Sequence, residues 1–158
     1  SNLGLNPREL MASAQNFIGV KRRLEYLGKF SNIHLFDDFA HHPTAIKASM
    51  AAMKSKFHSS RLYAVVELAS NTMRKGSLKS DLKESFHDAD FVWILDFGDA
   101  EWDIQKEFLG IENVGIAKNM DDLSDQLWSK LKVDDSLVIM TNKDSVGIRN
   151  ILIKGPPI

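Results

Sequence analysis

The chain has no cysteine. That removes disulfide cross-links, thiolate nucleophiles and cysteine zinc sites, and it suits a reducing compartment. No apolar run approaches the roughly 20 residues of a membrane span. The first residues lack the basic, apolar and small-residue pattern of a signal peptide. Charge of one sign is also missing. The 20 basic and 21 acidic residues leave a formal net charge of -1, which gives no footprint for nucleic acid or for an anionic membrane. There is no Gly-x-x-x-x-Gly-Lys-Ser/Thr run and no other phosphate cradle. Phosphoryl transfer rests mostly on positioning and charge neutralisation, so these 158 residues alone are not expected to carry it. No internal repeat, low-complexity stretch or linker interrupts the chain.

What is present suits one domain with a sizeable core: 158 residues, 44% hydrophobic and 26% charged. Asn6, Pro7 and Glu9 have the spacing of a capped helix start and predict a helix over 6–16. Two extended stretches follow, around 23–29 and 32–37, broken near Ser31 and Asn32 as in a hairpin. Pro43 opens a helix to about Lys56, with an apolar stripe of Ile46, Met50, Met53 and Phe57.

Beyond this the pattern alternates. Leu62–Leu68, Phe91–Leu95 and Leu137–Met140 are continuous apolar runs, the mark of strands covered on both faces. A shorter strand is expected near Val114–Ala117. Leu78, Leu82 and Phe86 mark one intervening helix. Leu123, Leu127 and Leu131 mark another, capped by Asn119, and a last short helix carries Val146, Ile151 and Leu152. The order predicts an α/β fold: a three-layer, open, mostly parallel, doubly wound (Rossmann-like) sheet with an antiparallel N-terminal hairpin. Ligands in such sheets sit beyond the carboxyl ends of the strands, which directs attention to the loops beginning at Asp37, Ala69, Asp96 and Thr141.

The first of these loops contains Asp37, Asp38, His41 and His42 between a strand and a helix. A carboxylate there can accept from ribose hydroxyls or hold a metal-bound water. The imidazoles can donate to a nucleotide or orient a substrate. For Asp37, a capping or structural role explains the residue equally well. Trp93 is expected in the core, and Trp102 and Trp128 over the sheet or a helix face. His34, His58 and His87 have no partner at metal-ligand spacing, and no structural zinc is expected.

With those residues in view, Gly19-Val20-Lys21-Arg22-Arg23-Leu24-Glu25 resembles the Gly-x-x-x-Arg-x-Glu stretch that opens the C-terminal domain of Mur ligases. Asp38-Phe39-Ala40-His41-His42-Pro43 is similar to their Asp-Tyr/Phe-Ala/Gly-His-x-Pro loop, and the doubled histidine resembles the branch that adds to UDP-N-acetylmuramate itself. Glu67 through Met73 resembles the Ser-Asn-Thr-Met loop of muropeptide ligases within that branch. The likeness runs from about Phe17 to Ile153. It implies that 1–16 is the tail of a preceding central domain or a hinge helix, and that 17–158 is the ligase C-terminal domain.

The resemblance implies an ATP-dependent, ADP-forming acid–amino-acid ligase of the bacterial cytoplasm, with magnesium, acting in peptidoglycan recycling. ATP phosphorylates the carboxylate of UDP-N-acetylmuramate, and the amine of L-Ala-γ-D-Glu-meso-diaminopimelate attacks the acyl phosphate. The P-loop and the sugar-nucleotide site belong to upstream domains, so the central ATPase domain is the expected partner, and no catalytic residue is assigned to this chain alone. By the same resemblance, Arg23, Asp38, His41 and His42 hold the nucleotide, and Ser70, Asn71, Thr72 and Arg74 face the incoming peptide.

Two stretches depart from the pattern: Leu68-Ala69 stands where muropeptide ligases carry Pro-Arg, and Thr141 through Gly147 where a Gly-rich loop is usual. They leave open a UDP-N-acetylmuramate–L-alanine ligase, a receiver-like module or a binding module without catalysis. Asn71-Thr72-Met73 argues against the first. Glu67-Leu68-Ala69-Ser70 ends a central strand without the aspartate that a receiver needs.

Overall fold

Ser31 and Asn32, with φ of +47° and +63°, make the two-residue, left-handed turn that matches the natural twist of a hairpin. They join β1 (Glu25–Phe30) to β2 (Ile33–Asp38), paired antiparallel with Phe30 opposite Ile33. The computed structural model describes residues 21–57 and 60–156. The helix expected at 6–16, the domain division at 16/17, the start of the opening motif and His58 lie outside them.

After β2 come α1 (Pro43–Lys56), β3 (Leu62–Glu67), α2 (Asn71–Arg74), α3 (Lys79–Ser85) and β4 (Phe91–Leu95). The chain continues through α4 (Ile104–Glu107), β5 (Val114–Ala117), α5 (Met120–Lys130), β6 (Ser136–Met140) and α6 (Val146–Lys154). The sheet order is β1-β2-β6-β3-β4-β5, and every pair except β1–β2 is parallel. This is the expected mixed, doubly wound sheet with helices on both sides.

Alternation along the strands divides the core in two. Ala64 and Val66 of β3, with Val92 and Ile94 of β4, face Ile46, Met50 and Met53 of α1 and Leu82 and Phe86 at α3. Tyr63, Val65 and Trp93 face the other way, towards Leu123 and Leu127 of α5 and Ile148 and Leu152 of α6. Central strands buried on both faces have no polar face to show, hence their unbroken apolar runs. The rim strands are wetter. β1 carries Lys29 and a bulge between Tyr26 and Gly28, where Gly28 has φ of +126°. Such features discourage further strands from pairing with an open edge.

The connection from β2 through α1 to β3 skips one strand position. β6 fills it, arriving through α5 from the opposite face. The carboxyl ends of β2, β6 and β3 therefore lie side by side where the winding reverses, the location of ligand crevices in open α/β sheets.

Candidate functional site

β2 ends in two acids with different surroundings. Asp37 is fully buried and faces the α6 side. It accepts from Ser145 Oγ at 2.9 Å and from Arg149 Nη2, and Arg22 Nε lies 3.3 Å away. Two guanidiniums and a hydroxyl thus compensate a buried carboxylate, which would be costly alone. Of the roles weighed for Asp37, the structural one accounts for all these contacts.

Asp38 is 6% exposed and joins three pieces of chain. It accepts from the Leu24 N–H at 2.9 Å, the Ala40 N–H at 2.7 Å and Ser49 Oγ at 3.0 Å. About four acceptor positions exist on a carboxylate, so roughly one remains for a ligand. Asp38 also shapes the site by tying down the turn that carries Arg23.

That turn is unusual. Arg22 and Leu24 have φ of 56° and 47°, a left-handed conformation that disfavours side chains by about 1–2 kcal/mol each. Three hydrogen bonds and a cation–π contact hold it besides the Leu24 contact. The Arg22 N–H donates to Glu25 Oε2 at 2.9 Å, and Arg22 O accepts from the Phe39 N–H at 2.7 Å. Arg22 Nη2 donates to Thr141 O at 2.6 Å, and its guanidinium lies 5.2 Å from the centre of the Phe39 ring. Arg22 is folded back onto the sheet, and Arg23 beside it is turned outward.

Arg23 faces a groove of about 450 Å³ lined by Leu24, Asp38, Phe39, Ala40, His41 and His42 on one side and by Ala45, Ala48, Ser49 and Ala52 of α1 on the other. The Arg23 guanidinium and the acid–imidazole turn therefore share one cleft at the sheet's carboxyl rim. The small side chains of α1 give it a smooth apolar wall. His41 Nδ1 donates to Phe39 O at 2.9 Å, which leaves Nε2 as its outward nitrogen. His42 caps α1 by accepting from the Thr44 N–H at 3.4 Å, so its proton sits on Nε2.

The second set is elsewhere. Ser70 caps α2 by accepting from the Met73 N–H at 3.4 Å. Asn71 and Thr72 are exposed on its first turn, and Arg74 pairs with Asp99 at 3.3 Å. None of the four lines the groove. They follow β3, two strand positions from β2, which is about 10 Å at ordinary strand spacing.

A family model described as Mur ligase, glutamate ligase domain matches residues 22–142. The chain belongs to the Mur ligase family. It is similar to the Escherichia coli UDP-N-acetylmuramate--L-alanyl-gamma-D-glutamyl-meso-2,6-diaminoheptandioate ligase, 33% identical over 98% of this chain and 34% of that protein. Among solved structures, a domain of the putative ligase of the same kind from Haemophilus ducreyi has a TM-score of 0.69 at 33% identity, covering 84% of this chain and 98% of that one. A murein peptide ligase from Psychrobacter arcticus has a TM-score of 0.75 at 29% identity, covering 99% of this chain and 35% of that one. The chain spans about a third of the length of the curated relatives it matches.

Within this Mur ligase domain, the loop after β6 lies between the groove and α2. Thr141 Oγ1 donates to Glu67 Oε2 at 2.6 Å, and Lys143 Nζ sits 3.0 Å from Glu67 Oε1. Lys143, at one of the two departures from the family pattern, is thus neutralised by a buried acid at the tip of β3. Sequence reasoning missed Arg22, Arg149, Glu67 and Lys143 as partners. The one signal was Glu67, the late acid in an otherwise apolar run.

Proposed function

We propose that this domain is the nucleotide-closing and peptide-presenting part of an ATP-dependent, ADP-forming ligase that joins L-Ala-γ-D-Glu-meso-diaminopimelate to UDP-N-acetylmuramate in the bacterial cytoplasm. The observation that carries the reading is the convergence of Arg23, Asp38, His41 and His42 on one groove at the carboxyl end of β2.

The groove fits a nucleotide. Its volume is within the range of small-molecule sites, the alanines of α1 offer a face for a planar base, and Arg23 offers a planar cation for a base face or a phosphate. His41 and His42 offer an acceptor and a donor through their free ring nitrogens. Among the described residues no group of three His, Asp or Glu side chains is placed to hold an ion. A magnesium ion would be held mainly by the nucleotide phosphates and water, since it commonly takes only one or two protein carboxylates.

When bound, ATP supplies the phosphoryl group that activates the acceptor carboxylate. The residues of this chain act around that chemistry. Arg23 and the histidines hold and orient the nucleotide, and Asp38 fixes the turn that presents Arg23. Ser70, Asn71, Thr72 and Arg74 offer short polar groups and a cation to the peptide at the neighbouring strand end. The P-loop comes from a preceding central domain. Closure of this domain over the nucleotide excludes water and brings the peptide amine to the acceptor.

The test uses the full-length protein. Phosphate release should require ATP, UDP-N-acetylmuramate and the tripeptide together, with L-alanine alone a poor substitute. Arg23→Ala and His41→Ala should each raise the KM for ATP about tenfold, the loss of one charge-assisted or hydrogen-bond contact, and leave the KM for the peptide nearly unchanged. Absence of tripeptide-dependent phosphate release, or unchanged ATP kinetics in both variants, overturns the proposal.

A further inference from the structure

The loop that follows β6 is anchored at its first residue. Thr141 is fully buried. It donates its N–H to Asp38 O at 3.2 Å and its Oγ1 to Glu67 Oε2 at 2.6 Å, and its carbonyl accepts from Arg22 Nη2 at 2.6 Å. These bonds tie the loop to the end of β2, to the end of β3 and to the turn that presents Arg23. A further bond, from the Lys143 N–H to Thr141 Oγ1 at 3.0 Å, fixes the backbone of Lys143. The Lys143 ammonium then stands 3.0 Å from Glu67 Oε1.

The two partners differ in exposure. The Glu67 side chain is 8% exposed and that of Lys143 46%, so the crevice meets the ammonium rather than the carboxylate. Burying a carboxylate is costly unless it is paired. For anchoring Thr141 alone, a glutamine at 67 would accept the same hydroxyl without that cost. What the charge adds is a cation held at the rim. An ammonium has three N–H groups, and the pair with Glu67 Oε1 engages one of them. The place is where the winding reverses. Met140, just before the loop, pairs with Asp38 on one side and Val66 on the other, each about 4.8 Å away. The groove follows β2 and α2 follows β3, so Lys143 lies between them. It stands in the stretch that departs from the Gly-rich family pattern, which makes this ammonium a property of the present chain.

We infer that Lys143 is a catalytic residue of the ligation, whose ammonium binds the oxygens of the departing phosphate, and that Glu67 is its positioning residue. The inference rests on the ligase reading above and adds to it a group that acts on the leaving group. In the second half of that reaction the peptide amine forms a C–N bond to the acyl carbon. The bond from that carbon to the phosphate oxygen breaks, and its electron pair leaves with the phosphate, which also takes the amine proton. Negative charge gathers on the phosphate as the bond breaks. A cation already fixed beside it stabilises that charge without reorganising. With the nucleotide on the β2 side and the peptide on the β3 side, the phosphate parts from the acyl carbon between them, where Lys143 stands. Glu67 holds the long lysine side chain at the rim before the substrates arrive.

The experiment uses the full-length protein with ATP, UDP-N-acetylmuramate and the tripeptide. Lys143→Met keeps the apolar stem and removes the charge, and Lys143→Arg keeps the charge. Lys143→Met should lower kcat by at least about tenfold, the value of one charge-assisted contact that strengthens in the transition state. The KM values for ATP and for the tripeptide should stay nearly unchanged, the mark of an interaction made in the transition state. Lys143→Arg should recover most of kcat. Inorganic phosphate, added as product, should inhibit the wild type and Lys143→Arg, and Lys143→Met several-fold more weakly. Turnover with kcat unchanged in Lys143→Met, a loss equal in Lys143→Arg, a change confined to a KM, or phosphate inhibition that ignores the substitution overturns this inference and leaves the ligase reading standing. A wild type that releases no phosphate with all three substrates removes the ligase reading, and the role of Lys143 with it.

Discussion

Arg22 and Arg23 are neighbours with opposite orientations, and the reason lies in what each can reach. Arg22 finds Thr141 O at 2.6 Å and Asp37 at 3.3 Å, whereas Arg23 stands over the groove. Arg22→Ala removes one of two guanidiniums from a buried carboxylate while Arg149 remains. The loss should be about 2 kcal/mol, below the full cost of breaking a buried pair, and should lower the thermal midpoint by roughly 4–8 °C. The KM for ATP should rise as well, because the turn presenting Arg23 loses its anchor. Arg22→Lys keeps the charge without the fork and should recover part of both. An unchanged melting temperature and unchanged ATP kinetics in Arg22→Ala would show that the turn holds its shape without that anchor. Asp38 needs a different reading. Since Asp38→Ala also releases Leu24, Ala40 and Ser49, its kinetic effect alone cannot be assigned to ribose. Arg23 and His41 are the cleaner probes.

Elements are tied together at the amino ends of the strands by a different acid. Asp90, just before β4, accepts from the Leu62 N–H at 2.8 Å and from Lys54 Nζ at 3.1 Å. Burial pushes its carboxyl up, but the Leu62 N–H and the Lys54 ammonium outweigh this and hold it below the ordinary value of 3.8. Folding therefore favours the ionised form. The stabilisation is complete above 3.8 and is lost as pH falls through the lowered value of the folded state. Asp90→Asn should lower the urea midpoint at neutral pH and flatten its decline in acid. Parallel profiles for variant and wild type would remove Asp90 from the acid response. The same scale shows what local pattern can reveal. β3, β4 and β6 were legible because burial on both faces leaves an apolar run. β1 was expected from residue 23 but begins at Glu25, because the left-handed backbone at Arg22 and Leu24, bonded to β2 and its loop, draws those residues out of the strand. The four-residue helices α2 and α4 are too short to show a helical period. In the site, Arg23, Asp38, His41 and His42 were named through a resemblance carried by short motifs. The partners of Asp37 were not, since Ser145 and Arg149 lie 108 and 112 positions away.

At the scale of the whole molecule, the candidate groups sit on one edge of the sheet. The groove follows β2, and the Glu67–Lys143 pair caps β3 and β6. Phe39, 45% exposed, stands on a loop at the same edge, and Val146, 47% exposed, opens α6 there. A nucleotide in the groove would meet Arg23 and the histidines from one side only, with no Gly-rich cradle and no P-loop lysine among these 158 residues. One-sided contact of this kind supports weak binding, because few groups offset the lost freedom of the ligand. This chain alone should therefore bind ATP with a Kd of about 1 mM or weaker, near -4 kcal/mol, and release no phosphate when given acceptor and tripeptide. Joined to the rest of the protein, the same groove should close on a nucleotide already held by its phosphates, and affinity and turnover should appear together. Calorimetry and a phosphate-release assay on both forms decide the matter. Micromolar ATP binding by the short chain, or turnover from it, would place a phosphate cradle within these residues and undo the division of labour argued for the ligase.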